Sequence, residues 1–124
     1  MMEELLKEEI GDNQVRLGFI EFFTRLRKMA HDAAKEKGWW DGEEHNMAEK
    51  IALMHSELSE ALEADRKDAM DDKLTDRKGL EVEFADCIIR IMDTAGWFGL
   101  DVAGAIVEKM AYNANRPYKH GKKY

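Results

Sequence analysis

Glu57 and Glu60 in the string ELSE, and Glu83 and Asp86 in the string EFAD, are the residues whose type and spacing can do chemistry. Each pair is three positions apart, and residues three apart on a helix are neighbours on one face. Four carboxylates presented in this way offer oxygens to a hard divalent cation such as Mg²⁺. The same spacing also occurs on solvated helix faces, where acids form ordinary surface ion pairs. Asp65/Asp68 and Asp68/Asp71 are of that kind, whereas Glu57/Glu60 and Glu83/Asp86 are embedded in strongly apolar stretches.

Four helices are expected to carry these residues, in an all-α, four-helix bundle-like fold. After an acidic start over residues 1–13, expected to be flexible, apolar residues recur at helical spacing from Val15 to Lys37, with Gly38 as a C-terminal stop. The segment GWWDGEEHN is a turn-rich connection whose adjacent Trp39 and Trp40 cannot both face the same way. A second helix follows from about Met47 to Asp68, with Glu57 and Glu60 edging its apolar stripe. His55 lies on that apolar side and reads as a core histidine. DAMDDKLTDRKG has no apolar periodicity and reads as a mobile polar loop, in which Thr75 or Asp76 can cap the next helix.

The third helix, Lys78 to Phe98, is apolar on most sides and is expected to be central and largely buried. Its sole polar strip carries Glu83, Asp86, Arg90 and Asp93, all within about 80° of one another at helical periodicity. Ionisable groups there require mutual pairing or a metal. Gly96 and Gly99 flank a short turn, Asp101 is a good N-cap, and a fourth helix runs to about Ala114. A basic tail, residues 115–124, follows. The 124 residues show no repeat and no internal boundary, and a single domain is expected.

Composition narrows the chemistry further. A net charge of −7 and a pI near 5.1 argue against a nucleic-acid polymer as partner, since phosphate binding over a long surface needs a basic footprint. Acidity is compatible with a phosphorylated small substrate when metal ions supply the positive charge. Cys87 is the only cysteine, which excludes an intramolecular disulfide and a Cys-rich zinc site and fits a reducing compartment. It reads as a small core residue. No stretch approaches the roughly 18 apolar residues of a membrane span, and MMEELLKEEIGD is too acidic for a signal peptide, so the cytoplasm is the expected location. None of the four histidines follows a glutamate by three residues, which disfavours a ferritin-like di-iron site. There is no glycine-rich phosphate loop.

The string KMAYNANRPYKHGK adds a cation, an amide and a guanidinium. Lys109 and Asn113 stand at i and i+4 on one face, with Arg116 beyond them, a set suited to phosphate oxygens or a sugar hydroxyl. Lys109 equally complements a helix C-terminus.

Taken together, the ordered elements ELSE at 57–60, EFAD at 83–86, KMAYN at 109–113, then Arg116-Pro117 and His120-Gly121-Lys122, resemble the MazG-like nucleotide pyrophosphohydrolases of the all-α NTP pyrophosphatase superfamily. The likeness covers roughly Glu43 to Lys122. It implies a MazG-type all-α fold assembled as a homodimer or dimer of dimers, and Mg²⁺-dependent hydrolysis of a nucleoside triphosphate to monophosphate and pyrophosphate, with Mn²⁺ as a substitute ion. Under that resemblance Glu57, Glu60, Glu83 and Asp86 are catalytic metal ligands, while Lys109, Asn113 and Arg116 contact substrate. Trp39, Trp40 and His45 offer ring faces for a base, with core or interface packing as the alternative. Two other readings share the pattern: a phosphoribosyl-ATP pyrophosphohydrolase-like enzyme, and a non-enzymatic helical oligomerisation or regulatory module.

Overall fold

Strong helix formers fill the chain and its lone proline stands near the end, so little interrupts the helices. The computed structural model describes residues 2–42 and 44–124, with side chains described except at 3–10. Met1 and Glu43, where the resemblance begins, lie outside the described residues. The elements are α1 (Met2–Glu36), α2 (Met47–Arg66), α3 (Gly79–Phe98) and α4 (Val102–Ala114), followed by a short 3₁₀ turn at Tyr118–Gly121. Among the described residues the only β feature is an isolated bridge between Met70 and Lys78. The all-α expectation holds, and no described helix is long and apolar enough to cross a membrane.

Where the sequence shows no internal boundary, the chain divides into two compact units, Arg27–Gly99 and the combined segments Met1–Leu26 and Leu100–Tyr124. In the first, α2 and α3 pack as an antiparallel pair. Small residues let them approach. Ala61 is buried, and a Cβ at Gly79 would lie 3.0 Å from that of Ala64. Cys87 is buried as expected, its Sγ 3.7 Å from the Met54 carbonyl oxygen. The second unit contains α4, whose Asp101 N-cap accepts from Gly104 N at 3.0 Å.

Several local expectations are corrected. The first helix begins at Met2, well before Val15, because Met, Glu, Leu and Lys over the acidic start are themselves strong helix formers. Its end is as expected: Gly38 takes φ +86° while Gly38 N and Trp39 N close on the carbonyls of Lys35 and Ala34. The third helix is capped by Lys78, which makes no side-chain capping bond, and not by Thr75 or Asp76. The connection before it is tied down instead of mobile. Asp71 Oδ2 accepts from Lys73 N and Leu74 N, and Asp71 N and Gly79 N bond the carbonyls of Arg77 and Ala69. His55 is exposed, at the edge of the α2 stripe and not in the core.

The third helix is also less enclosed than its composition predicts. Met92, Thr94 and Ala95 are buried, but Phe84 and Ile88 are about half exposed, as are Leu58 and Leu62 of α2. α2 covers one side of this all-round apolar helix and α1 approaches it at Gly96, and the remaining apolar surface stays open.

Candidate metal centre

The antiparallel register brings the middle of α2 against the first half of α3, and this places Glu57 and Glu60 opposite Glu83. One oxygen from each of the three lies within 4.8 Å of the others. Glu57 is buried at 8% exposure, Glu83 is half-buried and Glu60 is exposed, so the trio opens towards water on the Glu60 side. Asp86 is not part of this set. It stands one turn along α3 from Glu83 and lines, with Glu57, a cavity of about 480 Å³.

Arg90 Nε donates to Glu57 Oε1 at 2.7 Å, the pairing that a polar strip on an apolar helix requires. Burial acts to raise the Glu57 carboxyl, but the Arg90 bond, with further bonds shared with Glu83 and Glu60, outweighs it and holds Glu57 below the usual glutamate value. Glu83 behaves oppositely. Burial pushes it up to about 7, assisted by the hydrogen-bonded carboxylates of Glu60 and Glu57. Its Oε2 is buried with no hydrogen-bond partner. Asp86 is also raised, first by burial and then by the negative charge of Glu57.

When ionised, carboxylates whose oxygens lie within 4.8 Å of one another repel by at least about 3 kcal/mol per pair at the effective dielectric of a protein site. Arg90 offsets one carboxylate, the proton that Glu83 keeps up to about 7 relieves a second, and above that pH two charges are left unbalanced. The donor set is all oxygen, carries excess negative charge and contains an orphaned buried acceptor. Those properties fit a hard divalent cation, Mg²⁺ or Mn²⁺, and not a soft one. Glu57, Glu60 and Glu83 would hold it, with Asp86 the adjacent acid.

The remaining strip residue, Asp93, pairs elsewhere in the same unit. Its Oδ1 accepts from His31 Nδ1 and from Trp40 Nε1, both at 2.8 Å. Trp40 is buried and stacks on Trp97 with ring centres 4.6 Å apart, while the Lys50 ammonium sits 4.2 Å from its ring centre. Trp39, by contrast, is 72% exposed and lines the cavity shared by Glu57 and Asp86. The sequence reading missed His31 as Asp93's partner. The available signal was an acid on the polar strip of a helix in a chain with two adjacent indoles.

Lys109, Asn113 and Arg116 all belong to the other unit. The Lys109 ammonium and Arg116 guanidinium both flank the Tyr112 ring, at 4.6 Å and 5.6 Å from its centre. Asn113 is exposed on α4. Comparison of the chain with known protein families, characterised proteins and solved structures returned no match.

Proposed function

We propose that this chain hydrolyses a nucleoside triphosphate, a deoxynucleotide in particular, to monophosphate and pyrophosphate with Mg²⁺, in the manner of the MazG-like enzymes it resembles. The observation that carries the reading is the buried, unpartnered Glu83 Oε2 inside a trio of glutamates, at the positions where the ordered motifs call for metal ligands. Bound there, Mg²⁺ would neutralise phosphate charge and acidify water. Glu57, fixed by Arg90, is a ligand of set orientation and a poor base. Glu60, on the solvent side, is the carboxylate that takes the proton of the attacking water instead of holding metal throughout; the water oxygen bonds the α-phosphorus as the bond to the bridging oxygen breaks, releasing pyrophosphate. The motif order assigns Lys109, Asn113 and Arg116 to the substrate's phosphates and sugar.

The open apolar surface of Leu58, Leu62, Phe84 and Ile88 supports a homo-oligomer, a dimer or dimer of dimers, and the single free, buried Cys87 fits the cytoplasm. The deciding experiment incubates the protein and Mg²⁺ with canonical and modified (d)NTPs and phosphoribosyl-ATP, and resolves the products. Monophosphate plus pyrophosphate from a nucleoside triphosphate is expected. Diphosphate plus phosphate, or no Mg²⁺-dependent turnover, refutes the proposal.

A further inference from the structure

We propose that Asp93 determines base specificity by accepting, through Oδ2, a hydrogen bond from an exocyclic amino group of the substrate's base; this rests on the nucleotide reading above. The cavity of about 480 Å³ is of ligand size and runs along α2 and α3. One end is marked by Glu57 and Asp86, the other by Lys50 and Asp93. Seven residues of helix separate the two ends on each wall, a span of about 10 Å. With the reacting phosphate held at the carboxylate end, the sugar falls midway and the outer edge of the base reaches Asp93.

The far end is built to read that edge. Asp93 Oδ1 is held by two donors, His31 Nδ1 and Trp40 Nε1, so the carboxylate is fixed in orientation and Oδ2 is the oxygen that these two bonds leave over. Asp93 lines the cavity, and Oδ2 is the oxygen left for a bound molecule. Exposed Trp39 contributes a flat face to the same wall. Trp40 cannot serve in that way, because Trp97 and Lys50 occupy its two faces. A fixed anionic acceptor gains a charge-assisted bond from an amino group and meets lone-pair repulsion from a carbonyl at the same place. Cytosine and adenine present the amino group there; uracil and hypoxanthine present the carbonyl.

Asp93→Asn tests this, because the amide oxygen can still accept from His31 and Trp40 while the group facing the cavity changes from acceptor to donor. Binding of dCMP and dUMP is followed by quenching of tryptophan fluorescence, and turnover of dCTP, dUTP, dATP and dITP by pyrophosphate release. The wild-type protein is expected to favour dCMP over dUMP on the order of 10- to 100-fold, the value of one hydrogen bond to a charged group. Asp93→Asn is expected to erase or invert that ratio. N4,N4-dimethyl-dCMP, which has no N–H to give, is expected to bind the wild-type protein as weakly as dUMP, a result that needs no folded variant. Equal binding of dCMP and dUMP overturns the proposal, as does a uniform loss for all bases in Asp93→Asn. Turnover without base discrimination would sink this inference and leave the pyrophosphohydrolase reading standing. Asp93-dependent selectivity of binding without turnover would do the reverse.

Discussion

Glu83→Gln separates the cost of the carboxylate trio from its use. In the unfolded chain Glu83 titrates at its ordinary 4.5, and in the folded protein near 7. Between those values the folded state holds the proton more tightly, so this group's contribution is fully present below pH 4.5 and is lost as pH rises through 7. The rise corresponds to a ceiling of roughly 3 kcal/mol, and water reaching the exposed Glu60 side reduces it to about 1–2 kcal/mol. Asp86, raised in the same direction, adds to the trend. Without metal, Glu83→Gln should therefore be more stable than wild type by about 1–2 kcal/mol at pH 8 and equal to it near pH 5. With Mg²⁺ at 100 times its Kd the order should reverse, because the wild-type protein gains about 2.7 kcal/mol and the variant has lost a ligand. All three tryptophans lie in the Arg27–Gly99 unit, so urea unfolding followed by tryptophan fluorescence reports the unit that holds the site. A variant less stable than wild type at pH 8 in chelator, or one stabilised by Mg²⁺ as much as wild type, refutes the reasoning.

Four other substitutions probe the same unit. Glu60→Ala and Asp86→Ala should each abolish Mg²⁺-dependent pyrophosphate release while circular dichroism shows unchanged helicity; near-normal activity in either removes that residue from the site. Arg90→Met leaves buried Glu57 without its cation and should destabilise the metal-free protein by about 1–3 kcal/mol. Mg²⁺ should restore most of that loss in a thermal melt, and no restoration would mean that Glu57 is not a ligand. Gly96→Ala should destabilise by about 1–3 kcal/mol in urea, since the new Cβ would lie 2.7 Å from the Cβ of His31, which has no flexible end to yield. A neutral effect would show that α1 and α3 do not approach so closely in solution.

What the sequence made legible was local. The starts of α2 and α4 and the ends of α3 and α4 fall where apolar periodicity, Asp101 and the glycines place them, because these signals act over one or two turns. The two carboxylate pairs were visible for the same reason: spacing along one helix fixes the face. The joining of Glu57 and Glu60 to Glu83, and the separation of Asp86 from that trio, depend on the register between two helices. The Asp93 contacts to His31 and Trp40 bridge positions 62 and 53 residues apart, and no periodicity encodes such pairs. His55 was misplaced because a wheel position beside an apolar stripe says nothing of where the neighbouring helix ends. The openness of Phe84 and Ile88 was hidden similarly, since composition shows that a helix is apolar but not how many neighbours it has.

The tied-down connection between α2 and α3 has a consequence for the order in which the molecule assembles. With Asp71 organising the turn and Met70 bridged to Lys78, the two helices are successive in sequence as well as adjacent in space. Their contacts are of short range along the chain and require little loop closure, so this hairpin belongs to the fast-forming part of the protein. Glu57, Glu60 and Glu83 all reside on it. The carboxylates are thus gathered when the hairpin closes, and their repulsion opposes that early step. A divalent cation bound by the trio at that moment would relieve the repulsion and speed closure, so the proposed ion would act in folding as well as in the finished site.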